Sequence, residues 1–205
     1  MVGPNRPQIV LFGSSIVQFS YSHEGWGSIL TDLYSCKADI VLRGYGGWNT
    51  RLALLVLDQI FPKSLSEKTR IIVLGTPPVN EEKIIKLFGI SRRSNESSHI
   101  YSEACIKMCK ELGIKVIDLW TALQNRNDWL SAHFTDGIHL TAEASKVVVK
   151  EILKVVKEAD WEPNLHWKSL PNEFAQCLPT IFVGPDGNTP VNVADLDLDW
   201  QAQWI

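Results

Sequence analysis

The chain has no excess of basic residues, and that absence excludes a large class of functions. Its 205 residues include 20 lysines and arginines against 23 aspartates and glutamates, so the formal net charge is −3. Proteins that hold nucleic acids by the phosphate backbone carry a clustered basic surface. We therefore expect no nucleic-acid partner, and at this length we expect a single compact domain.

Long apolar segments are also missing. No apolar run approaches the roughly 20 residues that cross a bilayer. The first seven residues, Met-Val-Gly-Pro-Asn-Arg-Pro, lack the apolar core of a secretory signal peptide. These two absences predict a cytoplasmic protein without a membrane span.

Cysteine is too sparse for a disulfide scaffold, because the chain has four, at Cys36, Cys105, Cys109 and Cys177. Cys105 and Cys109 are four residues apart on one predicted helix and share a face of it, which leaves a zinc site open as an alternative. Partner ligands at the usual spacings are missing, so we predict buried thiols.

Short apolar runs alternate with segments of helical periodicity. Strands are predicted at residues 8–12, 39–42, 70–74 and 114–119, and helices at 25–35, 50–60, from about 80, at 98–112 and at 141–159. This order is typical of an α/β protein with a mostly parallel sheet that helices cover on both faces. In such sheets the chemistry lies beyond the carboxyl ends of the strands.

The composition changes near residue 160. Residues 161–205 hold four of the eight tryptophans, and neither helical nor strand periodicity dominates there. A disordered tail rarely carries so many large aromatic side chains. We predict one domain over residues 1–160 and a Trp-rich C-terminal extension, residues 161–205, that packs on it.

Two segments carry candidate catalytic residues. Ser14 and Ser15 follow the first predicted strand, where a serine can be exposed to substrate, although either can equally be a helix N-cap. Asp136 and His139 are three residues apart on a turn before the last helix. There the carboxylate can bind one ring nitrogen and leave the other as a general base, although an Asp-Gly turn beside a surface histidine is the simpler alternative.

Parts of the sequence are compatible with two other functions. Gly44-x-Gly46 after the second strand hints at dinucleotide binding, but the third glycine of that fingerprint falls at Asn49. His133 stands three residues before Asp136, so a metal site of two histidines and a carboxylate is conceivable. We favour neither, because the fingerprint is incomplete and the serine-based arrangement already uses two of the three metal-ligand candidates.

Taken together, the segments resemble the SGNH hydrolases, also called GDSL esterases/lipases. Phe12-Gly13-Ser14-Ser15 stands where that family has its Gly-Asp-Ser block, with Ser14 in place of the usual aspartate. Residues 42–49 look like the second block, and Asp136 and His139 match the last one. The resemblance implies that Ser15 is the nucleophile, Asp136 and His139 complete the triad, and the backbone N–H groups of Ser15 and Gly47 form the oxyanion hole.

Longer motifs make the resemblance more specific. The chain is similar to two plant subgroups, the isoamyl-acetate-hydrolysing esterases and the CPRD49-type GDSL esterases. The similarity lies in residues 25–27, 37–40, 42–45, 135–140 and 165–169. The resemblance implies a three-layer α/β/α sandwich with a flavodoxin-like parallel sheet. It also implies hydrolysis of small acetyl or other short-acyl esters through an acyl-enzyme, with no cofactor and no metal.

One block of the family is missing. No Gly-x-Asn-Asp occurs in the chain, which runs from Phe61-Pro62 through residues 63–69 directly into the strand at 70–74. The resemblance therefore implies that the central strand, a unit on the order of 30 residues or more, has been lost together with an oxyanion donor. The strand at 70–74 then either slides beside the first strand or leaves it unpaired, and Asn80 is a candidate replacement donor. A catalytically impaired truncated isoform is the competing interpretation.

Overall fold

The computed structural model describes residues 6–61, 69–174, 182–183, 188, 190–191 and 199–204. Strands and helices alternate through the first 160 residues, as predicted, and short elements follow. They are β1 (Gln8–Gly13), α1 (Ser15–Gln18), α2 (Trp26–Leu33), β2 (Asp39–Gly44), α3 (Thr50–Ile60), β3 (Ile72–Leu74), α4 (Glu81–Phe88), α5 (Asn95–Glu111), β4 (Lys115–Ile117), α6 (Leu119–Ala122), α7 (Trp129–Ala132), α8 (Ala142–Glu158), β5 (Phe182–Val183), β6 (Pro190–Val191) and a 3₁₀ helix (Asp199–Trp204).

The strands of the first 160 residues pair in parallel, which confirms the α/β class. β1 pairs with β2 in the register Gln8 to Asp39, and β3 pairs with β4 in the register Ile72 to Lys115. The antiparallel pair β5–β6 in the C-terminal extension was not predicted. Nor were the two short helices α6 and α7.

The parallel strands form two separate two-stranded sheets. Among the strands that the structure describes, none joins β1 to β3. Of the two outcomes predicted for a lost central strand, the structure therefore has the open gap. The segment that contains β3 is bonded to the end of β4 and to the Gly137 loop: the Gly75 N–H donates to Ile117 O at 2.8 Å, and the Asn80 N–H donates to Gly137 O at 2.9 Å.

The core lies between α2, α8 and the sheets. α8 begins after Thr141, whose hydroxyl accepts from the Ala144 N–H, and its inner face buries Val148, Val149, Leu153 and Val156. The sequence predicts one apolar face of this helix, lined by Val147, Val148, Ile152, Val156 and Ala159. Of these, Val148, Val156 and Ala159 are buried. This buried face packs on α2, whose Trp26, Leu30 and Leu33 are also buried.

α3 contributes least to this core. It begins, as predicted, after Asn49, whose side-chain oxygen accepts from the Leu52 N–H, but none of its residues is buried. Leu54 and Leu55 are 70% and 76% exposed. Two adjacent leucines this exposed are unusual for a monomeric protein and indicate an apolar helix face that nothing in the described part of the chain covers.

The described part of the C-terminal extension lies against the first 160 residues. Trp167, Leu170 and Trp204 are buried in the same apolar cluster as α2 and α8. The Tyr34 hydroxyl donates to Leu165 O at 2.9 Å, and the Lys37 ammonium donates to Leu170 O at 3.1 Å. The division at residue 160 stays a prediction, since packing on a shared core does not test a domain boundary.

The cysteine prediction holds in part. Cys109 is buried, Cys105 is partly exposed and Cys36 is exposed, so a buried thiol is wrong for Cys36. Cys36 lies just after α2, where the chain turns toward β2 at the surface, while Cys177 lies outside the described residues. None of the helices that the structure describes has the length and apolarity to cross a membrane.

Candidate active site

Ser15 lies at the carboxyl end of β1, where the chain turns into α1. Gly13 permits the turn, because a Cβ there would lie 2.7 Å from Val17 Cγ2. Ser14 occupies the N-cap position of α1, but its side chain makes no capping hydrogen bond. No side-chain hydrogen bond therefore supports the alternative that Ser14 is a helix cap. Ser15 is the first residue of the helix.

The turn that carries Gly47 is tied to both ends of this segment. The Tyr45 N–H donates to Gly13 O at 2.9 Å, and the Gly46 N–H donates to the side-chain oxygen of Gln18. Gly47 is exposed and has a φ of +76°, which favours glycine. These bonds hold the candidate oxyanion-hole turn against the helix that begins with Ser15.

Asp136 and His139 form a closed local unit. The Asp136 carboxylate accepts from the Ile138 N–H at 2.9 Å and from the His139 N–H at 2.8 Å, and its Oδ2 lies 2.6 Å from His139 Nδ1. Because a carboxylate only accepts, Nδ1 carries the proton and Nε2 is left as the acceptor. Burial raises the pKa of Asp136, but the hydrogen bonds from His139 and Ile138 outweigh it and hold this pKa below its ordinary value.

The loop of this pair is held by the segment after β3. Gly137 has a φ of +92°, and a Cβ there would lie 2.6 Å from Asn80 O. The Asn80 side chain accepts from the Lys83 N–H at 2.9 Å and donates to Leu130 O at 2.8 Å. The structure does not favour the alternative that Asn80 replaces the missing oxyanion donor, because its side-chain amide caps α4 and binds Leu130 O of α7.

The structure places His139 beside the helical turn that carries Ser15. The Phe19 ring contacts the His139 imidazole edge to face, with ring centroids 5.1 Å apart. Phe19 lies one turn after Ser15, and its N–H donates to Ser15 O at 2.9 Å. His139 Nε2 is buried and has no hydrogen-bond partner, so the Ser15 hydroxyl is not bonded to it.

Sequence reasoning missed Gln18 and Phe19. The only signal for them is spacing, since both lie within one helical turn of Ser15. Their contacts depend on segments about 28 and 120 residues away in the chain, which local periodicity does not encode.

The metal alternatives find no geometry within the described residues. No group of three or more His, Cys, Asp or Glu side chains there could hold a metal ion. His133 is fully buried and its Nδ1 donates to Leu123 O at 2.7 Å. The His133 side chain is therefore a structural part of the core beside α6, and it does not act together with the Asp136–His139 pair.

Known proteins are similar to this chain in sequence. No family model matches the chain. The chain is 44% identical over 255 aligned positions to a protein named GDSL esterase/lipase CPRD49 from Arabidopsis thaliana, with all of both chains covered. It is 30% identical to a protein named isoamyl acetate-hydrolyzing esterase 1 homolog from Rattus norvegicus, over 66% of this chain and 75% of that protein.

A solved structure shows the same fold. A member of the lipolytic G-D-S-L family from Veillonella parvula matches with a TM-score of 0.59 and 15% identity, over 74% of this chain and 99% of the other. The fold is therefore that of the SGNH/GDSL hydrolases, an α/β fold with parallel strands.

The alignment with the Arabidopsis protein also measures what is missing. It spans 255 positions, whereas this chain has 205 residues, so at least 50 positions have no counterpart here. That length exceeds one strand-plus-helix unit and agrees with the gap between the two sheets. The identity extends over the whole of both proteins, and the chain therefore belongs to the GDSL esterase/lipase family and is a GDSL-type esterase.

Proposed function

We propose that the chain hydrolyses acetyl or other short-acyl esters of small alcohols with Ser15, His139 and Asp136 as its catalytic triad. The observation that carries the proposal is the 2.6 Å contact between Asp136 Oδ2 and His139 Nδ1. It fixes the tautomer in which Nε2 can accept a proton, and this nitrogen has no other partner. A base prepared in this way, beside the helical turn of Ser15, is the arrangement that activates a serine.

The reaction follows from these positions. His139 Nε2 takes the proton from the Ser15 hydroxyl as its oxygen attacks the carbonyl carbon of the ester. The tetrahedral intermediate collapses, the C–O bond to the alcohol breaks, and His139 returns the proton to the leaving alkoxide. Water, deprotonated by the same nitrogen, then attacks the acyl-serine, and release of the carboxylic acid restores Ser15. Asp136 stays ionised and stabilises the imidazolium in both steps.

The reaction requires one contact that the structure does not contain. Ser15 and His139 Nε2 are not hydrogen bonded, although empty active sites often hold such contacts long and close them around substrate. Phe19 contacts the imidazole ring and lies one turn after Ser15. A small rotation of this turn is therefore the movement by which substrate would bring nucleophile and base together.

The oxyanion hole of the proposal has two donors, the N–H groups of Ser15 and Gly47. The tethers through Tyr45 and Gln18 support this, because they hold the Gly47 turn against α1. A third donor, the asparagine of the missing block, is absent from the sequence. Loss of one such donor typically lowers turnover by about 10²–10³, so we expect a slow esterase.

The short-acyl preference rests on the relatives. The Rattus norvegicus protein is named for isoamyl acetate, an acetyl ester of a small branched alcohol. No cofactor enters the proposed mechanism, because the triad and the backbone donors supply the base, the nucleophile and the charge stabilisation.

A direct test uses p-nitrophenyl acetate and a fluorophosphonate probe on the purified chain. Ser15→Ala should abolish both hydrolysis and labelling, and peptide mapping of the parent should find the probe on Ser15. Ser14→Ala is the matched control, since the Ser14 side chain makes no capping bond, and it should retain both. Labelling of Ser14 instead of Ser15 would refute the assignment.

The competing proposal is a catalytically impaired, truncated isoform that retains the triad residues and hydrolyses little. It is favoured by the open gap between the two sheets and by the 50 or more unmatched positions. The two proposals are separated by kcat/KM for this chain beside a version with the central unit restored. A deficit of about 10²–10³ supports the slow esterase, whereas no signal above that of Ser15→Ala supports the impaired isoform.

A further inference from the structure

The outward face of α3 carries a symmetric pattern. Arg51, Leu54, Leu55 and Asp58 occupy positions i, i+3, i+4 and i+7, so they lie along one stripe of the helix. Leu54 and Leu55 are the most exposed large apolar side chains of the described residues, at 70% and 76%. The stripe is apolar at its centre, with a positive charge at its first turn and a negative charge at its last.

The stripe is uncovered in the described part of the chain. No residue of α3 is buried, and Leu54 and Leu55 are 70% and 76% exposed. An exposed apolar surface of this kind gains free energy when a complementary partner covers it.

The pattern is complementary to itself. When two copies of α3 lie antiparallel about a two-fold axis between Leu54 and Leu55, Leu54 faces Leu55 of the partner subunit. In the same arrangement Arg51 faces Asp58 of the partner subunit. An isologous interface needs this kind of self-complementarity, since residue i must suit residue j and residue j must suit residue i. We propose that a second copy of this chain covers α3, and that the protein forms a two-fold dimer through antiparallel α3 helices.

The charges support the proposal independently of the leucines. α3 has no acidic residue in its first turn and no basic residue in its last turn, and it carries Arg51 and Asp58 near the ends where a lone helix disfavours them. In the antiparallel pair each arginine lies beside the partner's aspartate and the negative end of the partner's helix. The arrangement that is unfavourable in one helix becomes favourable in two.

A second exposed apolar stretch, on α4, serves as the contrast. Ile85, Leu87 and Phe88 are about half exposed. Here the charges already suit a lone helix, with Glu81 and Glu82 in the first turn and Lys86 in the last. The charges of α4 are therefore favourable without a partner, and we assign the dimer interface to α3.

The test is sedimentation equilibrium of the full chain at several protein concentrations and low salt, with circular dichroism to confirm folding. The parent should sediment as a dimer that dissociates on dilution. Leu55→Lys should give a monomer. Arg51→Asp should weaken dimerisation at least about tenfold, because it places like charges opposite each other twice. The helix itself should not suffer, because an aspartate suits its first turn.

The decisive variant exchanges the two charges. Arg51→Asp combined with Asp58→Arg restores both ion pairs with reversed polarity, but each arginine then lies beside the positive end of the partner's helix. The double variant should therefore dimerise at least about threefold more tightly than Arg51→Asp alone and no more tightly than the parent. Leu87→Lys on α4 is the matched control and should leave the dimer intact. A monomeric parent at every concentration, a dimer that only Leu87→Lys abolishes, or a double exchange that fails to restore association would each overturn the proposal. Because the readout is mass, its outcome does not depend on esterase activity.

Discussion

Gly44→Ala tests the packing that positions the proposed nucleophile. A Cβ on Gly44 would lie 2.0 Å from the Gln18 backbone nitrogen and 2.4 Å from its Cα. These are backbone atoms of α1, so no side-chain rotation can relieve the overlap. To reach the 3.4 Å of an ordinary contact, α1 must move away from β2 by about 1.4 Å along that direction.

Two quantities should change. Overpacking of this kind typically costs about 1–3 kcal/mol of unfolding free energy. At about 2–4 °C per kcal/mol for a domain of this size, the melting temperature should fall by roughly 2–12 °C. Ser15 lies within the turn that ends at Gln18, and a displacement of about 1 Å at a reacting group can cost about 10² in rate. We therefore expect kcat/KM for p-nitrophenyl acetate to fall by about that factor.

The control is Gly89→Ala, at the end of α4. Gly89 has a φ of +78°, but a Cβ there would meet nothing within 4 Å. The substitution should cost about 1–2 kcal/mol from the left-handed backbone alone and leave kcat/KM unchanged. If Gly44→Ala melted and reacted like the parent, the close approach of α1 to β2 would be refuted, and with it the argument that glycine is required in the second block.

Four further outcomes are expected. Leu153→Ala should cost about 2–5 kcal/mol in urea unfolding because it leaves a cavity between α8 and α2, whereas the exposed Leu87→Ala should cost almost nothing. Asn80→Ala removes the cap of α4 and the side-chain bond to Leu130 O, and it should cost about 0.5–2 kcal/mol of unfolding free energy in the same urea unfolding. The pKa of Asp136 is lower in the folded protein than in the unfolded chain. The ionised carboxylate therefore stabilises the fold above the unfolded pKa of about 3.9, and this stabilisation is lost as pH falls below that value. Asp136→Asn should make the free energy of unfolding less dependent on pH in this acidic range. Burial and two nearby lysines lower the pKa of His166 in the fold, so stability should fall as pH drops through the unfolded value of about 6.5, and His166→Asn should remove that slope.

Local chemistry made most of the fold predictable from sequence. Asn49, Asn80 and Thr141 each cap a helix through a side-chain oxygen, and these caps lie where the sequence predicts a helix to begin. The four parallel strands were predicted because short apolar runs ended by glycine or a charged turn are local patterns as well. The Asp136–His139 pair assembles on one turn of chain, so its spacing predicts the hydrogen bond as one of two alternatives, and the structure decides between that bond and an unbonded surface histidine.

What sequence alone determined, then, is the order of elements, the family and the chemical identity of the candidate site. Only the tertiary structure decided what happens where the central strand is missing, since β3 stays with β4 and the Gly137 loop instead of moving to β1. It also decided that the Asn80 side chain binds Leu130 O of α7, that Gln18 and Phe19 contact the site, and that α3 exposes its leucines. Each of these features depends on which distant segments compete for the same hydrogen-bonding groups and the same apolar surface. Packing decides that competition, and the periodicity and spacing of residues along the chain do not encode it.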